Sequence, residues 1–209
     1  MSRSIWGLLV ALAAGVAMPA GASSLIVNGS FESSSTAPGS FCAELVTGDT
    51  TITGWEVTGF NIHYCEQGYW PASDGARSID LDGDAAGGIR QSFATTAGQT
   101  YSVTFDMAGN YYGLPAVKDM QVSADGQTAV FQFDTTGHDN NNFGWTAMTF
   151  SFVADDGSAT LEFLSLTPTS YYGGYGAVID NVVVTPEPGT LALLFAAVLG
   201  VGIRQRLRD

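Results

Sequence analysis

Apolar and polar residues alternate with a period of two along much of this chain. The clearest run has Tyr101, Val103, Phe105 and Met107 at every second position, with polar or acidic residues between them. Such alternation predicts β-strands with one buried and one solvated face. Further segments of this kind lie at 60–64, 78–81, 89–93, 120–123, 129–133, 150–152, 161–163 and 178–184.

Clusters of Gly, Asp, Asn and Ser separate these segments, and the central part of the chain has no stripe of apolar residues at helical spacing. Many short strands joined by such turns predict an all-β domain, a β-sandwich of the jelly-roll type. Polar loops are predicted at 33–40 and 134–144.

The first 22 residues have the organisation of a secretory signal peptide. Arg3 precedes an uncharged apolar run from 5 to 17, and Ala20-Gly21-Ala22 places small residues before the expected cleavage at Ser23. The run is shorter than the about 20 apolar residues that span a bilayer. We therefore predict an N-terminal signal helix within 1–22 that is removed on export, with an ordinary buried helix as the alternative.

A second processing signal is predicted at the other end, over 186–209. Pro186-Glu187-Pro188 leads into an uncharged apolar segment from 191 to 203, which three arginines follow. Arginines beside a transmembrane helix stay on the cytoplasmic side. The arrangement resembles the PEP-CTERM sorting signal, whose tail an exosortase cleaves at the inner membrane before the protein moves to the cell surface or exopolysaccharide matrix. A retained C-terminal anchor is the alternative, although the segment is short for stable insertion.

Between the two signals lie residues 23–185, a size typical of one domain. This part contains three basic residues against 18 acidic ones. So negative a domain would be repelled by a nucleic acid, which excludes that class of partner. Cation binding and simple solubility outside the cell both fit the charge.

The predicted domain contains two cysteines, Cys42 and Cys65, with 22 residues between them. An exported protein meets an oxidising compartment, where an even cysteine count predicts a disulfide bond. A shared metal ion is the alternative, but neither a C-x-x-C spacing nor a histidine cluster accompanies them.

The order of short motifs along the predicted domain resembles that of a known family. The motifs are LIVNGSFE at 25–32, ITGW at 52–55, DG at 74–75, SIDL at 78–81, GIRQSF at 88–93, GQTY at 98–101, AGN at 108–110 and IDNV at 179–182. They resemble the DUF642 or choice-of-anchor C domain, which is similar to galactose-binding-like carbohydrate modules. The resemblance implies a jelly-roll sandwich, usually non-catalytic, that binds a glycan of the cell wall or matrix.

Aromatic residues in the predicted loops are the candidates for contact with a sugar, because an aromatic face offers a flat apolar surface. Loops at one end of a sandwich are where binding sites collect. The alternative is that these rings only cover the core. The candidates are Tyr69, Trp70, Tyr111, Tyr112, Tyr171, Tyr172 and Tyr175.

Two acidic residues, Glu32 and Asp180, follow apolar residues directly, and a buried carboxylate without a partner is costly. Carbohydrate modules similar to this family often hold a structural calcium where the first and last strands meet, which makes these two acids its candidate ligands. A hydrogen-bonded acid and an exposed strand edge are the alternatives.

A second acidic group, Asp80, Asp82 and Asp84, does not fit the calcium-loop pattern, since Ala85 and Gln91 occupy the positions that need Gly and Glu. Alternation places these three aspartates on one face, which predicts a solvated strand end. Another oxygen-rich site is the alternative.

The known catalytic motifs for nucleophilic, zinc-dependent or nucleotide chemistry are missing from this sequence. Its histidines are His63, expected on the solvent face of a strand, and His138, expected in a loop. Paired carboxylates for glycoside hydrolysis stay open, because sequence spacing does not fix their distance. We therefore expect an exported, non-enzymatic protein that binds polysaccharide. A structural matrix component without a small ligand and a carbohydrate-active enzyme are the alternatives.

Overall fold

Within residues 23–168 and 173–188, which the computed structural model describes, the chain forms eleven β-strands and no helix. The strands are β1 Cys42–Val46, β2 Glu56–Gly59, β3 Asn61–Glu66, β4 Arg77–Asp80, β5 Gly87–Ala94, β6 Thr100–Gly109, β7 Val117–Ala124, β8 Gln127–Asp134, β9 Thr146–Val153, β10 Ser158–Ser165 and β11 Ala177–Pro186. Nine of them cover the segments that alternation predicts. The other two, β1 and β2, were missed because each buries a single apolar side chain, Leu45 and Val57.

The strands form two antiparallel sheets that pack face to face. One has six strands in the order β1-β3-β4-β11-β6-β9, and the other has five in the order β2-β5-β10-β7-β8. Phe105 of β6 meets Phe163 of β10 with ring centroids 5.1 Å apart, and Phe93 of β5 meets Phe152 of β9 at 6.3 Å. These contacts join the two sheets, and the prediction of an all-β sandwich is confirmed.

Alternation along β6 assigns the buried face correctly. Tyr101, Val103, Phe105 and Met107 are all buried in the common core, as their period of two predicts. The apolar area that this face removes from water supplies the main driving force for pairing the sheets.

The N-terminal segment 24–33 lies beside β11 without forming a regular strand. Leu25 N–H donates to the Val184 carbonyl at 2.8 Å, and Val182 N–H donates to the Gly29 carbonyl at 2.9 Å. The side-chain amide of Gln91 donates to the Val27 carbonyl and accepts from the Val27 N–H, so it pairs as a strand would. Gly29 allows this approach, since a Cβ there would overlap the Val182 carbonyl.

Loops cover part of the outer face of the six-stranded sheet, around β3, β4 and the start of β11, whereas outward residues of β9 such as Thr149 stay exposed. Paired residues point to the same side of a sheet, so His63, Asp80 and Val178 form one outward row. Above this face, the Trp70 indole N–H donates to the Ser78 hydroxyl at 2.9 Å, and the Trp145 indole N–H donates to the Pro71 carbonyl at 2.9 Å. The loops that carry these indoles therefore form a third layer.

This third layer corrects the prediction of a solvated strand end. Asp80 and Asp82 are each 0% exposed, whereas Asp84 is exposed as expected. Alternation correctly indicated that Asp80 points away from the core between the sheets. It could not indicate that loops from elsewhere in the chain lie over it.

The predicted signal helix and the predicted transmembrane helix both fall on residues outside the described ranges. Among the described residues, no helix is long and apolar enough to cross a membrane.

The predicted disulfide between Cys42 and Cys65 is confirmed. The two residues face each other in the register of β1 and β3, with their Cα atoms 4.0 Å apart. The bond fixes β1, an edge strand of the six-stranded sheet, to its only neighbour within that sheet as the structure describes it.

Removal of this disulfide should lower the stability of the domain. A bond that closes a loop of this length restricts the unfolded chain and is worth about 3 kcal/mol. The variant Cys42→Ala/Cys65→Ala should therefore melt about 6 to 12 °C below the wild type. Thermal unfolding followed by circular dichroism measures the difference.

The matched control is reductant, which should lower the melting temperature of the wild type and leave that of the double variant unchanged. Two thiols that react with an alkylating agent in unreduced secreted protein would contradict the prediction.

Candidate functional site

A pocket with a volume of about 220 Å³ opens on the outer side of the six-stranded sheet. We call it the aromatic pocket. Its lining consists of Phe41, Cys42, His63, Tyr69, Asn110, Gly174 and Tyr175. Rings form much of its wall, while the amide of Asn110 and the imidazole of His63 are polar groups within the apolar surface.

Loops that are distant in sequence supply this lining. Phe41 precedes β1, Tyr69 follows β3, Asn110 follows β6 and Tyr175 precedes β11. The order of strands in the sheet places these four connections together. The sheet therefore acts as a rigid base that fixes the position of the loops.

A chain of ring contacts continues from the pocket across the third layer. Tyr69 has its ring centroid 6.2 Å from that of Phe41, 4.7 Å from Trp70 and 5.5 Å from Tyr112. Tyr111 contacts Tyr112 at 4.4 Å. The structure thus brings Tyr69, Tyr111 and Tyr112, predicted from separate loops, into one connected surface, and Tyr175 joins Tyr69 in the pocket.

Trp70 has a different role from the predicted one. It is 2% exposed, its indole N–H is satisfied by Ser78, and its ring packs on Phe143 at 5.4 Å. Trp70 therefore packs behind Tyr69 and offers almost no surface to a ligand in this structure. The alternative reading, a ring that covers the sheet, holds for this residue.

Two further predicted residues, Tyr171 and Tyr172, lie outside the described residues. Phe41 was missed, although it is 66% exposed at the mouth of the pocket. The sequence carried a weak signal for it, since Phe41 stands beside Cys42 after a polar loop and an exposed ring next to a disulfide is held in place.

Below the pocket, the buried carboxylate of Asp80 connects three segments of the chain. One oxygen, Oδ2, accepts from the Asn110 side-chain amide at 2.7 Å, and Oδ1 accepts from the N–H groups of Asp82 and Gly176, each at 3.0 Å. Asn110 in turn accepts from the Tyr112 N–H at 3.1 Å. Asp80 therefore fixes both the loop of Tyr111 and Tyr112 and the segment that carries Tyr175.

A second buried acid, Asp82, and a buried base, Lys118, lie near Asp80. Burial raises the pKa of Asp82, while the nearby Ser165 hydroxyl and the charge of Lys118 oppose the rise. Burial also lowers the pKa of Lys118, against the attraction of Asp80 and Asp82. The Lys118 ammonium donates to the Gly113 carbonyl at 2.7 Å and lies 6.0 Å from the centroid of the Tyr175 ring. Lys118 thus contacts both the segment at Gly113 and the ring of Tyr175 from the interior of the protein.

The two histidines are placed differently with respect to the pocket. Burial lowers the pKa of His63 more than the nearby carboxylates of Glu44 and Asp84 raise it, so the imidazole in the pocket is uncharged at neutral pH. His138 packs on Phe133 at 5.1 Å and its Nδ1 contacts the Asn142 carbonyl at 2.9 Å. His138 holds its own loop and lies outside the pocket lining.

The two candidate calcium ligands, Glu32 and Asp180, bind the same surface loop through backbone amides. Glu32 Oε1 accepts from the N–H groups of Ala76 and Arg77 at 2.7 and 2.8 Å. Asp180 Oδ2 accepts from those of Ser73 and Asp74 at 2.8 and 2.9 Å. Each of these N–H groups takes one of the about four acceptor sites of its carboxylate.

These contacts favour the alternative of hydrogen-bonded acids. Among the described residues, no group of three or more Asp, Glu, His or Cys side chains could hold a metal ion. Calcium binding stays a prediction from the resemblance alone.

Comparison with known proteins identifies two matches along the chain. A family model described as "Protein of unknown function (DUF642)" matches residues 24–185. A model of the PEP-CTERM protein-sorting motif matches residues 184–207, which indicates an exported protein sorted to the surface. No curated protein matches this chain.

Several solved structures have a similar fold. TmCBM61 in complex with beta-1,4-galactotriose has a TM-score of 0.48 at 20% identity, covering 79% of this chain and 100% of that one. Family 16 Carbohydrate Binding Module-2 has a TM-score of 0.47 at 16% identity over 77% and 99% of the two chains. A family 35 module from Clostridium thermocellum has a TM-score of 0.45 at 13% identity over 69% and 99%. At these scores their ligands say nothing about the ligand of this chain.

The buried acid Asp180 should make the domain less stable as the pH rises. Burial, reinforced by the charge of Asp74, raises the pKa of Asp180 to about 7, although three backbone N–H groups oppose the rise. Between about pH 4 and about pH 7 the folded carboxyl keeps a proton that the unfolded chain releases, so increasing pH favours unfolding. Asp180→Asn cannot titrate and should reduce the fall in melting temperature between about pH 5 and about pH 8.

The matched control is Asp155→Asn, which changes an exposed carboxyl group and should leave the pH dependence as in the wild type. Asp80 has a pKa raised to about 7 by burial and adds a slope of the same sign. The pH dependence of Asp180→Asn is therefore compared with those of the wild type and Asp155→Asn, since none of the three should have a melting temperature independent of pH. Equal pH dependence in Asp180→Asn and the wild type would show that Asp180 is ionised throughout.

Proposed function

This chain belongs to the DUF642 family, and we propose that its exported domain binds a neutral polysaccharide in the aromatic pocket. The observation that carries the proposal is the meeting of one exposed and two half-buried rings with uncharged polar groups. Phe41, Tyr69 and Tyr175 surround the amide of Asn110. Rings of this kind stack on the apolar face of a sugar, and polar groups beside them fix the orientation of its hydroxyls.

The hydrogen-bonding groups of the pocket suit hydroxyl groups. A phenol is protonated at neutral pH with its ordinary pKa of about 10, and burial together with the neighbouring Tyr112, Asp80 and Tyr175 raises the pKa of Tyr69 further. The Tyr69 phenol can therefore donate as well as accept. An uncharged His63 offers one donor and one acceptor in the same way.

The charge of the site favours a neutral sugar over an acidic one. The lining contains no Lys or Arg among the described residues, and His63 is uncharged at neutral pH. A carboxylate on a uronic acid would thus meet no counter-charge in the pocket. The domain as a whole carries 18 acidic and three basic residues, so it also repels anionic polymers at long range.

Binding without catalysis fits the lining better than hydrolysis does. A glycosidase needs two carboxylates on either side of the bond that it cleaves. None of the side chains that line the aromatic pocket is an acid, and Asp80 and Asp82 beneath it are fully buried. We therefore propose a non-enzymatic surface or matrix protein, with exosortase as the partner for its tail and polysaccharide as the partner for its domain.

Loss of one ring from the aromatic pocket should weaken binding. Phe41→Ala and Tyr69→Ala each remove an aromatic face, which is worth a factor of about 2 to 12 in affinity. Affinity electrophoresis in gels that contain neutral or uronate-rich polysaccharides measures the change. Retardation by a neutral polymer should decrease in both variants.

The matched control is Phe60→Ala, which removes a ring that is 59% exposed but does not line the pocket. Its retardation should equal that of the wild type. If no neutral polysaccharide retards the wild type, the domain is a matrix component without this ligand. Release of reducing sugar would instead indicate an enzyme.

A further inference from the structure

The last strand of the domain runs directly into the sorting motif. β11 ends at Pro186, which is the first residue of Pro-Glu-Pro and pairs in register with Tyr101 of β6. Thr185 and Pro186 therefore belong to a folded strand and also to the segment 184–207 that matches the sorting signal. No linker separates the domain from the first residue of the motif.

Glu187, the central residue of the motif, is held by three contacts with the domain. Its N–H donates to the Thr100 carbonyl at 2.9 Å, and its own carbonyl accepts from the Gln99 side-chain amide at 2.7 Å. Its carboxylate accepts from the Ser151 hydroxyl at 3.1 Å. We call Gln99, Thr100 and Ser151 the motif dock. It satisfies both backbone polar groups of Glu187 and the side chain that distinguishes the motif.

The motif dock competes with any other protein that must bind Glu187. A protease binds the segment near its cleavage site through the backbone and side chains of that segment. The N–H of Glu187 is a single donor, so it cannot bind Thr100 and a second protein at once, and Ser151 takes one acceptor site of the Glu187 carboxylate. Glu187 is also half-buried, whereas Pro186 and Pro188 are exposed.

We propose that the folded domain holds the Pro-Glu-Pro motif in the motif dock, and that the sorting protease gains the motif only when the end of β11 detaches from β6. The rate of processing then follows the fraction of molecules in which this end is open, as for proteolysis through local opening. This mechanism does not depend on glycan binding. It concerns a different event, the release of the protein from the membrane.

The dock can be weakened without a change in the motif. Gln99→Ala and Ser151→Ala each remove one hydrogen bond to Glu187, which should raise the open fraction about two- to tenfold. A third variant inserts six Gly and Ser residues between Thr185 and Pro186, so that motif and tail stay intact but leave the dock. Thr149→Ala, an exposed position two residues from Ser151 on the same strand, is the matched control.

The test follows the full-length protein in cells that contain the sorting protease, by pulse labelling and the mass shift on loss of the tail. Gln99→Ala and Ser151→Ala should be processed about two- to tenfold faster than the wild type. The insertion variant should be processed at least as fast as these two dock variants, and Thr149→Ala should be processed at the wild-type rate. Hydrogen exchange on the purified protein should show a protected Glu187 amide in the wild type and faster exchange in the two dock variants.

Two results would overturn the proposal. One is processing of the insertion variant at the wild-type rate, since its motif cannot occupy the dock. The other is a Glu187 amide in the wild type that exchanges as fast as in an unfolded peptide. Both remain decisive even if the single substitutions have small effects.

Discussion

A carboxylate with no exposed surface, that of Asp80, lies on the outer side of the six-stranded sheet and must find its partners inside the protein. It finds them in the side chain of Asn110 and the N–H groups of Asp82 and Gly176. A buried carboxylate without such partners would cost several kcal/mol. The requirement therefore acts in both directions: the loops must close for Asp80 to be satisfied, and Asp80 fixes where they close. The arrangement of the aromatic pocket depends on this contact.

The third layer covers part of the outer face of the six-stranded sheet, whereas the outer face of the five-stranded sheet has no such layer among the described residues. On the five-stranded sheet, outward residues such as Arg90 and Glu56 stay exposed and pair with each other at 2.8 Å. On the six-stranded sheet, outward residues of β4 lie beneath the rings of Tyr69 and Trp70. The aromatic pocket lies at the edge of this layer, where the rings are still partly exposed. A rigid sheet below and packed rings behind leave few groups to be ordered on binding.

At the ends of the fold, side-chain amides form the hydrogen bonds to backbone groups that a neighbouring strand would otherwise form. Gln91 pairs with both backbone groups of Val27, and Gln127 does the same with Val153 of β9. Gln99 binds the Glu187 carbonyl in a related way. Each contact satisfies backbone groups at a place where the sheet has no further strand. The N-terminal segment, the edge of β9 and the sorting motif are thereby tied to the domain by single residues that can be changed one at a time.

Local pattern was enough to predict the PEP-CTERM sorting motif, the buried face of strands such as β6 and the disulfide between Cys42 and Cys65. The disulfide could be predicted because only one pairing is possible for two cysteines. Local pattern also indicated that Tyr69, Tyr111, Tyr112 and Tyr175 lie in loops. What covers each outward face depends on contacts between segments that are distant in the sequence. Asp80 and Trp70 are buried, and Glu187 is held in the dock, because residues far away in the chain fold over them. Alternation of apolar and polar residues records the direction of a side chain but not its neighbours.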